Sequence, residues 1–557
     1  MASPSRSKAG TQASRHPPRF VPISKAWSRS AFPICRRSAA MPKARKGINP
    51  MRLEQMAAFL PRLFSMTREM DRAQREEEAR QRAAWQQYLM SIAAPSGQLG
   101  DGRLANLDDL KAVGLLETSG LFLGAQQGRM LFFNGDGQLL TYARTGSGKG
   151  RDLILPNLAH MRDRSLIVVD VKDGENCFAS REHREAALGQ RCIYLNPFGL
   201  LGLPNTQINP LHVLVDIVRD GGEIDTQADE MAQILIPPNP REGENSWVRK
   251  GAIRLLSMRM EYLAYLEPQN CTLGNLWHFV NASDADFEHA FQMMASCGIE
   301  GIARRAAAMG ATYADAPKQF EAYKSDAIEA LSAFEVGKTL DRTTSAHEFD
   351  FARLKHEPTT VYLIAPSEKL GVIAPWISLI VNYAIEAIAR ERGKLRTCFI
   401  LDEFPQLPPA PAVMKALRLY RGKGIQLWFF AQGRYSMEGR WSRDAVREIE
   451  DQAAIFNMTG VEDPTLMRDV ERWSGNRTIV TRGQNIGGGA VESAGTNRGE
   501  SRRPVLQAED IRGIGSGKQI IKIAGLPQLV VCERLPFYEV DPWSGQIRDV
   551  RTLHQGN

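Results

Sequence analysis

Residues 139–158 read LLTYARTGSGKGRDLILPNL. An apolar run, a glycine-rich turn ending in Lys149, and a second apolar run give the order strand, loop, helix. The phosphate-binding pattern G-x-x-x-x-G-K-[ST] needs that order. Backbone N–H groups of the loop and of the helix start face the phosphates, and the lysine reaches the β- and γ-phosphates. Two positions depart from the pattern: Ala143 stands at the first glycine, and Gly150 replaces the hydroxyl that normally meets Mg²⁺. Gly146 and Gly148 keep the backbone freedom that close approach to a phosphate requires. The candidate nucleotide contacts are therefore Thr145, Gly146, Ser147, Gly148, Lys149, Gly150 and Arg151. A glycine-rich turn with no ligand would carry the same letters.

Other segments repeat the strand signature. SLIVVDV (165–171), RCIYLN (191–196), TTVYLIA (359–365) and TCFILDEF (397–404) are continuous apolar runs alternating with helical stretches. Strands buried on both faces of a parallel sheet read this way, so the fold class is α/β with a mostly parallel central sheet. RTCFILDEFPQL (396–407) ends its strand in Asp402 and Glu403. Ligands of such sheets bind at the carboxyl ends of the strands. There Asp402 is the candidate Mg²⁺ ligand, and Glu403 the candidate group that orients and deprotonates an attacking water.

The chain has 557 residues, too many for one core, and its composition is that of an ordinary globular protein. Its net charge of +7 is misleading. Residues 1–50 hold eleven Lys/Arg and no Asp or Glu, leaving 59 basic against 63 acidic residues beyond them, a net of −4. Any DNA contact must therefore use local patches. The seven cysteines are scattered with no C-x-x-C pair, which suits reduced thiols rather than a disulfide framework or a zinc site. No stretch approaches ~18 uninterrupted apolar residues, so no membrane-spanning helix is expected.

Five segments follow from these patterns. Residues 1–50 read as a disordered basic tail, an upstream extension of the frame being the simplest source, with Met41 or Met51 as a working start. Residues 51–119 read as a helical N-terminal segment. A first nucleotide-binding part spans 120–225, an all-helical insert 226–345, and a second nucleotide-binding part 346–557, with a flexible Gly/Ser/Asn-rich loop at 483–501.

Taken together, GSGKGRDLILPNL, LIVVDVKDGEN, LGQRCIYLNPFG, INPLHVL, SWVRKGAIRLL, VYLIAPSEKLGVIAPWISLIV, FILDEFPQLPPAPAVMKALRLYRGKGIQLWFFAQG, FNMTGVEDPTLMRDVERWSGNRT and SRRPVL occur in the order of one family. Over residues 120–540 the chain resembles the type IV secretion coupling ATPases, the TraG/TraD conjugative coupling proteins. The resemblance implies a RecA-like P-loop NTPase domain with an inserted helical domain, and ATP and Mg²⁺ as cofactors. It makes Gly150 a family trait. It also implies that Lys149 binds phosphate and that Asp402 and Glu403 serve the metal and the water. Gln432 would contact the γ-phosphate, and Arg421 would be a finger donated to a neighbouring subunit, with Arg418 a nearby competitor. Asp170 and Lys172 would add to the polar lining. The additional residue in DVKDGE puts Glu175 in question, and Trp247 is expected to pack in a core. Family members typically carry two N-terminal membrane helices, and none is read here.

The expected function is an ATP-hydrolysing ring, a hexamer, that brings relaxase-bound single-stranded DNA or protein substrates to a type IV secretion channel. Its partners would be DNA, the relaxosome and channel proteins. Its place would be cytoplasmic, peripheral at the inner face of the bacterial membrane. Two alternatives stand beside it: a double-stranded DNA pump of the same superfamily, and a non-hydrolysing cargo adaptor.

Overall fold

The computed structural model describes residues 75–77, 80–81, 95–238, 246–485, 495–515 and 517–553. The chain divides into two compact units, 1–92 and 93–557. Of the first unit only a few helical positions are described, so the expected basic tail and most of the charged helix lie outside the described residues. The second unit carries everything that follows.

Eleven strands form one sheet. They are β1 (Leu121–Gln126), β2 (Arg129–Phe133), β3 (Gln138–Ala143), β4 (Arg164–Asp170), β5 (Arg191–Leu195), β6 (Thr359–Ile364), β7 (Arg396–Leu401), β8 (Ile425–Ala431), β9 (Ala453–Thr459), β12 (Lys518–Ile523) and β13 (Val530–Glu533). The remaining two, β10 (Asn476–Asn485) and β11 (Gly495–Pro504), make a separate hairpin. Across the large sheet the order is β2-β1-β13-β12-β9-β3-β8-β7-β4-β6-β5. From β9 to β5 every neighbouring pair is parallel, whereas β12, β13, β1 and β2 extend the other edge as an antiparallel wing.

Period-two alternation splits the strands between two cores. Leu140, Ile167, Val169, Phe399, Leu401, Leu427 and Phe429 face one, while Leu139, Leu166, Val168, Cys398, Ile400, Trp428 and Phe430 face the other. The first core continues into the helices that lie between β5 and β6, running from His212–Arg219 to Thr339–Thr344. Leu255, Leu263, Phe287 and Phe320 of those helices belong to the same apolar cluster as the sheet residues. The second core takes in the helix after the phosphate loop, Leu155–His160, and the C-terminal residues Phe537, Trp543 and Ile547.

Two sequence expectations are corrected here, and a third feature needs explaining. The stretch 483–501 does not read as a strand, yet its ends supply the far arms of the β10–β11 hairpin, Gly483 opposite Asn497 and Asn485 opposite Gly495. A ladder is made by backbone groups, which need no particular side chains; residues 486–494 lie outside the described residues. Trp247 is 45% exposed rather than in a core, and it meets Tyr323 edge-on at 5.8 Å. It sits in the first turn of helix Ser246–Leu266, before the buried face begins at Gly251. Among the described residues one helix, with its lead-in turn spanning Ser367–Arg390, is long and apolar enough to cross a membrane, but 89% of its apolar window is buried within the protein. It is a core helix against the sheet, interrupted by buried Ser378, Asn382 and Glu386.

Candidate active site

Strand β3 is buried along its whole length and ends at Ala143. The loop that follows returns on itself through an N–H bond from Ser147 to the Arg144 carbonyl at 3.0 Å. Gly146 and Gly148 adopt φ of 74° and 86°, the left-handed region closed to most side chains. At Gly148 a Cβ would stand 2.9 Å from the guanidinium nitrogens of Arg151 and Arg534, so those side chains would have to shift, and the backbone angle itself favours glycine. Gly150 differs, because a Cβ there would have nothing within 4 Å. The missing hydroxyl is therefore not a consequence of crowding. The Ser147 hydroxyl is buried and without a hydrogen-bond partner among the described residues.

Strand β7 stops at Leu401, so Asp402 and Glu403 begin the turn beyond its carboxyl end. Glu403 has φ 50° and ψ 36°, a left-handed conformation uncommon outside glycine. Such strain persists where surrounding contacts hold it and concentrates at functional positions. Here the contacts are ionic. Lys149 Nζ lies 2.8 Å from Asp402 Oδ1 and 2.7 Å from Glu403 Oε1. From the end of β4, Lys172 Nζ reaches Asp402 Oδ2 at 3.0 Å and Glu403 Oε1 at 3.2 Å. Two ammonium groups and two carboxylates thus form a balanced cluster, with Lys149 and Asp402 almost wholly buried. Burial opposes ionisation of Asp402, but Lys149 and Lys172 outweigh it and hold its pKa below the usual carboxylate value. The same balance raises the Lys172 pKa: burial disfavours its charge, and the two carboxylates more than restore it.

The other expected residues are placed as follows. Gln432 is exposed, one residue beyond the carboxyl end of β8, the strand between β3 and β7. Asp170 is fully buried, and its oxygens accept from the Cys177 N–H at 2.8 Å and from Asn176 Nδ2 at 3.2 Å. Desolvation pushes its pKa up to about 7 against those hydrogen bonds. It shapes the turn after β4 rather than lining the cleft. That turn absorbs the additional residue of DVKDGE by placing Asp173 (φ 56°) and Gly174 (φ 82°) in succession in the left-handed region, and Glu175 reaches the cleft.

Arg421 is not brought to this cluster. It is exposed in the turn that leads into β8, at the amino ends of the parallel strands. Lys149, Asp402 and Gln432 follow the carboxyl ends, so the length of β8, about 20 Å, separates the two edges. Arg418, its competitor, is engaged: Nε and Nη2 meet the Glu448 carboxylate at 2.5 and 2.6 Å.

The sequence reading missed Arg534 and Asp152. Arg534 follows β13 of the antiparallel wing, is 3% exposed, and reaches both the Ser147 carbonyl and the Asp152 carboxylate. It braces the phosphate loop through the Ser147 carbonyl. Nothing in an isolated arginine signals this, because its place depends on β13 pairing with β12 and β1.

Lys149, Lys172, Glu175 and Glu403 line a cleft of about 410 Å³. A glycine-rich loop after one strand, with two carboxylates two strands away across β8 at the same carboxyl edge, fits a RecA-like α/β fold. Residues 103–554 match the family described as type IV secretory system conjugative DNA transfer. The chain belongs to that family. It is similar to two conjugal transfer proteins TraG of Escherichia coli, each 22% identical, over 498 and 509 residues, with 80% of this chain and 77% of the relative covered. Among solved structures it is similar in fold to the plasmid coupling protein TrwB. The complex of TrwB with the ATP analogue ADPNP gives a TM-score of 0.57 at 16% identity, covering 78% of this chain and 93% of that one. The complex of TrwB with ADP and Mg²⁺ gives 0.56 at 16% identity, covering 78% and 94%.

Proposed function

We propose that the chain hydrolyses ATP at the Lys149–Asp402–Glu403 cluster. The cycle would deliver DNA, as a relaxase-bound single strand, and/or protein substrates to a type IV secretion channel. The observation that carries this is the approach of one ammonium to both carboxylates, 2.8 and 2.7 Å, at the mouth of a glycine-rich loop. Family membership supports the transport role, and the nucleotide complexes of TrwB support ATP as the ligand.

In this reading the γ-phosphate takes the place that the two carboxylates now hold beside Lys149. Glu403 accepts a proton from a water that attacks γ-phosphorus, the β–γ bridging P–O bond breaks, and ADP and phosphate leave. Gln432 lies at the strand end between the two motifs, suited to a γ-phosphate contact. Asp402, buried and held ionised, fits Mg²⁺, which takes oxygen ligands, keeps several waters, and needs only one or two carboxylates beside the phosphates. Such an ion would neutralise charge on the phosphates.

Arg421 lies a strand's length from its own cluster, so its role as a finger requires a second subunit. A homo-oligomeric ring, a hexamer, meets that requirement, working on the cytoplasmic side at the bacterial inner membrane with relaxosome and channel partners. The test is ATP turnover by the full chain with and without single-stranded or duplex DNA. Turnover stimulated by single strands is the expected result. No turnover under any DNA condition would favour the adaptor, and stimulation by duplex alone the DNA pump.

A further inference from the structure

The cleft at the phosphate loop has two unlike walls. One is the charged cluster of Lys149, Lys172 and Glu403, and the other is a wall made by the C-terminal segment, with Phe537, Tyr538 and Arg551. That wall is built into the fold. Phe537 is buried, Trp543 packs edge-on against Phe122 at 4.9 Å, and the Arg548 N–H donates to the Ala179 carbonyl at 3.0 Å. The Arg548 side chain meets Glu182 at 2.5 Å, which ties the segment to the helix Glu175–Glu182 whose first residues also line the cleft.

Within this wall one side chain is out of keeping with packing. Phe537 is 6% exposed, whereas its neighbour Tyr538 is 45% exposed and its ring borders the cleft. The Arg151 guanidinium stands 6.0 Å from the Tyr538 ring centre and is steadied by its Nε bond to Asp152 Oδ1 at 2.5 Å. The cleft thus presents ammonium groups on one side, and on another an aromatic ring beside the guanidinium of the loop's own Arg151. A nucleoside triphosphate has the same polarity, anionic at one end and a planar π-system at the other. Bases stack on aromatic rings and on guanidinium planes.

We propose that Tyr538, with Arg151 beside it, is the nucleobase subsite of this cleft. The C-terminal segment is then a structural part of the nucleotide site rather than a tail beyond it. The proposal rests on the nucleotide reading above and adds where the base lies.

Calorimetric binding of Mg²⁺·ATP and of Mg²⁺·tripolyphosphate to the full chain tests it. Tyr538→Ala should weaken ATP binding about tenfold and leave tripolyphosphate binding unchanged, while Tyr538→Phe keeps wild-type affinity for both. Unchanged ATP affinity in Tyr538→Ala overturns the proposal, placing the base elsewhere. Equal losses for ATP and tripolyphosphate also overturn it, because the residue would then act on the phosphate loop through Arg151. Wild type that binds neither compound removes the nucleotide reading itself, and this inference with it.

Discussion

Lys149 and Lys172, placed by two different strand ends, close on the same pair of carboxylates, Asp402 and Glu403. Removing Lys149 therefore does not leave the acids without a cation. Lys149→Ala should stay folded, with a thermal midpoint close to wild type, yet lose ATP turnover by at least about a hundredfold. Glu403→Gln should keep nucleotide affinity and lose about 10²- to 10⁴-fold in turnover, the usual contribution of a positioned base. Phosphate release and binding of a fluorescent ADP, measured on both variants, separate the roles. Wild-type turnover in Glu403→Gln would remove it as the base.

Neighbouring glycines of the loop should respond in opposite ways. Gly148→Ala forces a Cβ onto two guanidiniums at a left-handed backbone angle, so it should destabilise by about 1 kcal/mol or more and abolish phosphate binding. Gly150→Ser enters open space and should fold normally, retaining or raising turnover at limiting Mg²⁺. Loss of folding in Gly150→Ser, seen by thermal melting, would contradict the spacing described.

The division between what sequence reveals and what it hides follows the range of the interactions. The approach of Lys149 to Asp402 and Glu403 was legible because the loop after β3 and the turn after β7 both follow the carboxyl ends of buried parallel strands. The buried runs of β3, β4, β6 and β7 show the parallel half of the sheet for the same reason. Arg534 was hidden, since its contact with Asp152 exists only after β13 joins a wing whose strands β1, β2, β12 and β13 carry no such motif. Tyr538 was hidden for the same reason: only the anchored C-terminal segment brings its ring to the loop. Trp247 shows the converse error. An aromatic in a helix suggests packing, but the first turn of a helix can lie outside its buried stripe.

Arg421 and Arg418 can be told apart in mixtures. Arg421→Ala should purify folded and bind nucleotide but show at most about one thousandth of wild-type turnover, in line with a finger supplied in trans. Titrated into wild type, it should lower activity per wild-type subunit. Arg418→Ala, which loses only its pairing with Glu448, should leave turnover largely intact. Undiminished activity per wild-type subunit across the Arg421→Ala series would exclude the trans role.

Acid should weaken the junction between the helical segment and the sheet. His347 lies flat against His212, ring centres 4.1 Å apart, and its Nε2 is 3.0 Å from the Tyr383 hydroxyl. Desolvation, with the His212 ring adding to it, lowers the His347 pKa to about 4 from an ordinary value near 6.5. Unfolding lets this group take up a proton more readily, so its contribution to stability is complete above about pH 6.5 and declines as pH falls toward 4. Denaturant unfolding across pH 4–8 should show that decline in wild type and a flatter profile in His347→Gln. Identical profiles would assign the acid sensitivity to other groups.

The helices between β5 and β6 and one face of the sheet bury their side chains in a single apolar mass. A hinge between them would have to expose that mass to water, at about 25 cal/mol for every Å² uncovered. Opening and closing between them is thereby disfavoured, and helices and sheet are built to travel as one solid piece. In the proposed ring, any stroke driven by the nucleotide would then be taken up at the joints from one copy to the next.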